Sequence, residues 1–189
     1  FPIQEVTLSL DGVQFAYSFF LSAYSQVQSS SEPPDFARAN LNSAVYREGD
    51  VELDGKKHRV ILLDFNSNGR FDDEFGVNNQ GDRIYPVFGD KLFVDPDSRN
   101  RNAGSYLADR ADTYPVAKLI GLEGKYYNLS VLADGSRLTL TPSTIPTGMV
   151  KNPNKRFYAV FYGDKGLVKI HGESEREIAM PEGDWQLLE

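Results

Sequence analysis

The chain has 189 residues, with 27 Asp and Glu against 20 Lys and Arg, a formal net charge of −7, and no cysteine. An apolar fraction of 40% excludes global disorder and suffices for a sizeable core, in one domain or in one with a small satellite. The acidic balance speaks against nucleic acid as a main partner, because phosphate binding needs a basic face, and the cysteine count excludes disulfides, thiolate nucleophiles and zinc–sulfur centres.

The longest apolar stretch, Phe15 to Tyr24, is broken by serines and falls short of the roughly 18 residues that a spanning helix needs. Without a basic flank it reads as a strand, not an export signal. The chain opens on Phe1-Pro2 without Met and stops in mid-pattern at Glu189. The expectation is a mature, trimmed product whose natural chain continues.

Three Asp-Gly pairs punctuate the sequence: Asp11-Gly12, Asp54-Gly55 and Asp134-Gly135. Asp-Gly suits a two-residue type I′ turn, whose central positions both need φ > 0. These pairs predict hairpins of Val6–Leu10 with Val13–Phe19, Ala44–Leu53 with Lys57–Leu63, and Tyr126–Leu132 with Arg137–Leu140. A fourth hairpin joins Phe157–Tyr162 to Leu167–His171 through Gly163-Asp-Lys-Gly166. Short strands with turn signals at this spacing predict an all-β chain, an antiparallel sandwich or barrel-like meander with little helix. Residues 25–31 and 97–104 read as polar loops, and Glu32–Ala39 as a helical turn behind its prolines. Turn formers in 141–148 and 151–154 mark a candidate boundary. It divides a β domain over 1–142 from a smaller β segment over 143–189, with a single domain as the alternative.

The sharpest motif is the run from Asp64 to Glu74, Asp-Phe-Asn-Ser-Asn-Gly-Arg-Phe-Asp-Asp-Glu. Counting Asp64 as position 1, oxygen-bearing side chains fall at positions 1, 3, 5 and 9, with Gly at 6. A tight curl points such alternating side chains inward around a hard cation. Gly69 permits the sharp turn, and the Arg70 carbonyl supplies the seventh-position ligand. Over Asp64, Asn66, Asn68, Gly69 and Asp72 the chain resembles the EF-hand family of calcium loops, especially the dockerin-type and bacterial variants. The resemblance implies a bound Ca2+. Position 12 is Phe75, however, so Asp73 or Glu74 must supply the missing carboxylate. The β-branched run His58–Leu63 shows that the loop leaves a strand, which excludes the opening of paired helices seen in calcium sensors. Two Asn ligands lower the negative charge and predict a Kd of about 10⁻⁴–10⁻³ M, typical of extracellular modules. A second acidic group, Asp82, Asp90 and Asp95-Pro96-Asp97, reads as a rigid surface turn, with an Asp-x-Asp pair that holds a further cation or contributes to the first site as the alternative.

Catalytic constellations are missing. Neither histidine has ligand or nucleophile spacing, and both His58 and His171 read as surface strand residues. There is no Gly-x-Ser-x-Gly elbow and no phosphate-cradling glycine loop. Glu173, Glu175 and Glu177 alternate along one solvated face. The stretch Phe157–Tyr162 has two apolar faces, which predicts burial on both, with a stacking platform for sugars or a protein as the alternative. Tyr126-Tyr127 and Trp185 share that ambiguity. The ending, Ile178 to Leu187, resembles the carboxypeptidase-regulatory-like, prealbumin-type β modules: Pro181 and Gly183 fix a turn, then Trp185 and Leu187 point inward. That resemblance implies an accessory module of secreted proteins, often in adhesion or glycan binding.

The expectation is an exported or cell-surface β module with a structural calcium, binding a glycan or a surface protein. A carbohydrate-active enzyme or glycan-binding module with an acidic and aromatic cleft is the alternative.

Overall fold

Period-two apolar patterning and tight turns place strands along most of the described residues. The computed structural model describes residues 2–26, 36–80, 83–96, 112–173 and 176–188, and these ranges hold seventeen strands and no helix. The first sheet is β1 (Gln4–Leu10), β2 (Val13–Gln26) and β3 (Phe36–Ser43), paired in that order. Next come β4 (Tyr46–Leu53), β5 (Lys56–Leu63), the separate hairpin of β6 (Gly76–Gln80) and β7 (Arg83–Val87), then β8 (Lys91–Val94) and β9 (Thr113–Pro115). Of these, β4-β5-β8-β9 form one sheet. A third sheet is β10 (Leu119–Leu122), β11 (Lys125–Val131) and β12 (Leu138–Pro142). The remainder is β13 (Thr147–Val150), β14 (Arg156–Gly163), β15 (Gly166–Glu173), β16 (Ile178–Pro181) and β17 (Trp185–Leu187), arranged as β13-β16 and β15-β14-β17. All pairings are antiparallel, and among the described residues no sheet closes into a barrel.

Successive side chains of a strand point to opposite faces, and β10 uses both. Ile120 and Leu122, with Tyr127 of β11, pack on Val60, Leu92 and Val94. Leu119 packs the other way, on Ala159, Val168 and Ile170. The β10-β11-β12 sheet is therefore the middle of three layers, and fully burying each such side chain is worth about 1.5–3 kcal/mol. Another cluster joins Phe75 and Ala117 to Val160 and Leu167, so apolar packing crosses the Thr141–Asn154 stretch. Both faces of β14 are covered: Phe157, Ala159 and Phe161 in one cluster, Tyr158, Val160 and Tyr162 in the other. Tyr126 and Tyr127 divide between the layers in the same way.

The Asp11-Gly12 and Asp54-Gly55 turns have φ of 51° and 82°, and of 52° and 76°, as type I′ requires. The third pair behaves differently. Asp134 turns its carboxylate onto the Ser136 N–H (3.0 Å) and hydroxyl (2.8 Å) instead of adopting positive φ. The result is a four-residue loop closed by Leu132 N–H to the Arg137 carbonyl at 3.0 Å. A type I′-like pair that the sequence reading missed, Glu123-Gly124 (φ 49° and 80°), links β10 to β11.

Other expectations need correction. Ser25 and Gln26 extend β2, and Phe36–Ala39 belong to β3 rather than to a helical turn, because Ala37, Ala39 and Leu41 pair in register with Ser25, Ala23 and Leu21. The rest of 25–39 lies outside the described residues, as do 97–104, Asp82 and Glu175. Leu187 is 62% exposed, not inward, whereas Trp185 is half-buried and donates its indole N–H to the Pro181 carbonyl at 2.8 Å. His171 is exposed as expected, but His58 is buried at 4% exposure.

Candidate metal centre

The loop between β5 and β6 is the Asp64–Phe75 segment. β5 delivers Asp64 into the interior at 1% exposure. Its carboxylate accepts the N–H groups of Asn68 (3.2 Å) and Gly69 (2.8 Å), which bends the chain back over it. Asn66 Oδ1 accepts the same Asn68 N–H at 3.2 Å, and Asn68 Oδ1 accepts the Arg70 N–H at 2.8 Å. These side-chain-to-backbone turns are the local preference of Asx residues. The curl needs left-handed backbone at Ser67 (φ 59°) and Gly69 (φ 86°). Gly69 was legible as such a position. Ser67 was not.

The closing carboxylate is Asp73. Its Oδ2 accepts the Asn66 amide at 3.1 Å and the Asn68 amide at 2.6 Å. Asp72, the ninth-position residue, turns away to the forked guanidinium of Arg70 at 3.0 and 2.8 Å, and that ion pair raises the Arg70 pKa. Glu74 is exposed. Asp64, Asn66, Asn68 and Asp73 thus share one curl, while the Asp72 and Glu74 side chains stand outside it. The donor set is oxygen throughout, which fits a hard cation and not a thiophilic one. Among the described residues no three acidic or histidine side chains form a ready cage. The two Asn carbonyls and the Arg70 carbonyl would have to complete a calcium shell.

Apolar anchors hold the curl. Phe71 is fully buried with Leu62 and Val116, under the Arg47 guanidinium at 4.9 Å, and its N–H bonds the Ala133 carbonyl at 2.9 Å. Phe75 is buried edge-to-face against Phe88 (5.9 Å) and Tyr162 (5.7 Å). Asp90, read from sequence as part of a surface turn, is instead fully buried. It clamps both ends of the loop, accepting Phe65 N–H at 3.1 Å and Asp73 N–H at 2.9 Å, while its own N–H returns to the Asp73 carbonyl at 2.8 Å.

Burial pushes the Asp90 carboxyl from its ordinary 3.8 up to about 7, against the pull of its two N–H bonds. Between those values the folded chain keeps a proton that the unfolded chain has lost, so this contribution to stability is complete below about 4 and disappears as pH rises through about 7. In chelator, the wild type is expected to lose more stability than Asp90→Asn between about pH 5 and about pH 8, read as urea midpoints. Equal losses would refute this assignment.

The N-terminal sheet meets the body at this same loop. Tyr17 donates its hydroxyl to Asp64 Oδ2 at 2.5 Å, and burial, reinforced by that carboxylate, pushes the phenol up to about 12. Ser43 N–H bonds Ser67 Oγ at 2.8 Å, Leu8 lies over Gly69, and Phe15 packs on the Phe71 cluster. Tyr17 and Asp90 were not singled out as parts of the site from sequence. The only signal for Tyr17 was its place on the apolar face of β2. Compared with known proteins, the chain matches no family model, no curated protein and no solved structure.

Proposed function

We propose that Asp64–Glu74 binds a structural calcium ion, and that the chain is an exported β module acting in binding or scaffolding at a cell surface. The observation that carries this reading is the convergence of Asp64, Asn66, Asn68 and Asp73 on one curl at the end of a buried strand. A bound cation would neutralise a loop crowded with four acids and fix the seat of the N-terminal sheet. Its role would be positional, with no chemistry performed on a substrate. Among the described residues no helix is long and apolar enough to cross a membrane.

A glycan-binding role is supported by one further feature. A groove of about 670 Å³ is lined by Arg156, Phe157, Tyr158 and Arg176, with the Tyr158 ring 4.6 Å from that of His171. The guanidinium forks of Arg156 and Arg176 suit sugar hydroxyls and carboxylates. A hydrolytic role lacks comparable support, because the carboxyl raised most clearly, Asp90, is sealed in the interior and not in a cleft.

The test is thermal unfolding in about 2 mM calcium and in excess chelator. For a Kd of 10⁻⁴–10⁻³ M, mass action gives about 0.6–1.8 kcal/mol, or roughly 1–7 °C in Tm. The increment should vanish in Asp64→Ala and in Asp73→Asn, each compared with itself in chelator so that its basal loss cancels. Identical wild-type melts in both conditions would reduce the loop to a polar turn.

A further inference from the structure

The buried histidine belongs to a second site, at the opposite end of β5 from Asp64. His58 Nδ1 lies 2.8 Å from Asp95 Oδ2, and Asp95 Oδ1 accepts the Arg59 N–H at 2.9 Å. Asp95 adopts φ 47°, which folds its carboxylate back over the strand. In the neutral imidazole, a carboxylate on Nδ1 holds the proton there and leaves Nε2 as an acceptor. No described residue bonds Nε2, and no described side-chain nitrogen or oxygen is sealed in without a partner. Nε2 therefore opens onto the cavity of about 150 Å³ that His58 lines, room for about five waters.

The other polar walls of this cavity are Asp54, Asp95, Glu123, Tyr114 and Tyr127. Two of the carboxylates are answered at the rim: Asp54 by Lys125 at 2.8 Å, and Glu123 by Lys56. Tyr127 donates its hydroxyl to Asp54 at 3.2 Å, which fixes its ring at the wall. Asp95 bonds an imidazole and an amide, and the Lys56 ammonium, paired to Glu123, acts on it only at longer range. Asp95 is thus the one wall carboxylate with no ammonium bonded to it among the described residues, and it stands beside an open acceptor and the Tyr127 ring, while the Tyr114 ring already carries Lys169 Nζ at 5.5 Å from its centroid. Such a combination selects a small monocation: the acceptor takes an N–H, and the Asp95 carboxylate balances the charge.

We propose that this cavity binds a primary ammonium group, donating to His58 Nε2 and neutralising the charge of Asp95, on a short alkyl stem. The stem belongs either to a free amine or to a lysine side chain of a partner. The proposal stands independently of the calcium loop.

The experiment follows the imidazole nitrogens by long-range 1H–15N NMR at constant ionic strength. The intact chain is titrated with n-butylammonium, with 1-butanol, and with Nα-acetyl-lysine methylamide. An amine this small binds in the millimolar range, so titration to roughly 50 mM suffices. The expected result is a saturable shift of His58 with butylammonium while His171, outside this cavity, stays still. Butanol should bind at least about tenfold more weakly, because it lacks the charge-assisted bond. A shift with the lysine derivative too assigns a partner's side chain; a shift with butylammonium alone assigns a free amine. His58→Phe should abolish binding. If that variant does not fold, the comparison of amine with alcohol on the wild type decides alone. A still His58, or butanol matching the amine, overturns the proposal.

Discussion

Phe71→Ala is expected to destabilise the chain by about 3–5 kcal/mol, measured as a lower urea midpoint with an unchanged slope. Phe71 sits within the loop, yet no part of it reaches solvent. It fills the space between Leu62 and Val116, and Gly135 approaches so closely that a Cβ there would stand 2.9 Å from the ring. Truncation removes the transfer energy and leaves a void that a curl tied down by Asp64 and Asp90 has little freedom to fill. Arg47 loses a cation–π partner as well, worth about 0.5–1 kcal/mol or more. Met149→Ala is the control: that side chain is 64% exposed, and its loss should stay within about 0.5 kcal/mol. A loss below about 1 kcal/mol for Phe71→Ala would mean that the loop is not anchored through this ring.

Gly89→Ala is the second large effect, and space causes it, not backbone conformation. A Cβ at residue 89 would stand 2.0 Å from the Asp73 carbonyl oxygen and 2.7 Å from that of Glu74. Neither is a flexible side-chain end, so two backbone segments must separate. The Asp90 N–H to Asp73 bond of 2.8 Å would break with them. Overpacking of about 1–3 kcal/mol and an orphaned buried donor of about 1–3 kcal/mol together predict a loss of about 2–6 kcal/mol. If the loop binds calcium as proposed, the stabilisation by calcium should disappear at the same time, because Asp73 is displaced from the asparagines. Denaturation in calcium and in chelator reads both quantities, and an Ala variant as stable as the wild type would exclude the close approach.

Local chemistry was legible and remote chemistry was not. Asp11-Gly12 and Asp54-Gly55 announce their turns because both positions need φ > 0, and neighbouring residues alone decide it. Asp134-Gly135 misleads because an Asp can spend its carboxylate on the next Ser instead. Within the calcium-type loop, Asp64, Asn66, Asn68 and Gly69 follow the motif. That Asp73 lies inside the curl while Asp72 turns away from it depends on Phe71 and Phe75 being pulled into separate clusters, and on Arg70 capturing Asp72. Tyr17 meets Asp64 across 47 positions, and His58 meets Asp95 across 37. Such meetings depend on how sheets stack, which no local pattern encodes. His58 shows the cost of that: its spacing suggested a solvated strand residue, yet the turn at Asp95 roofs it over.

Tyr17, Ser43, Leu8 and Phe15 all reach the body at one place, and this makes the three-stranded N-terminal sheet a lever with the loop as its fulcrum. Tension on β1 or β3 is delivered to Asp64, Ser67 and Phe71, the residues that set the curl. A pull on β1 thus loads the loop, whereas β3 also hands its load straight to β4 through Ala44 and Val45.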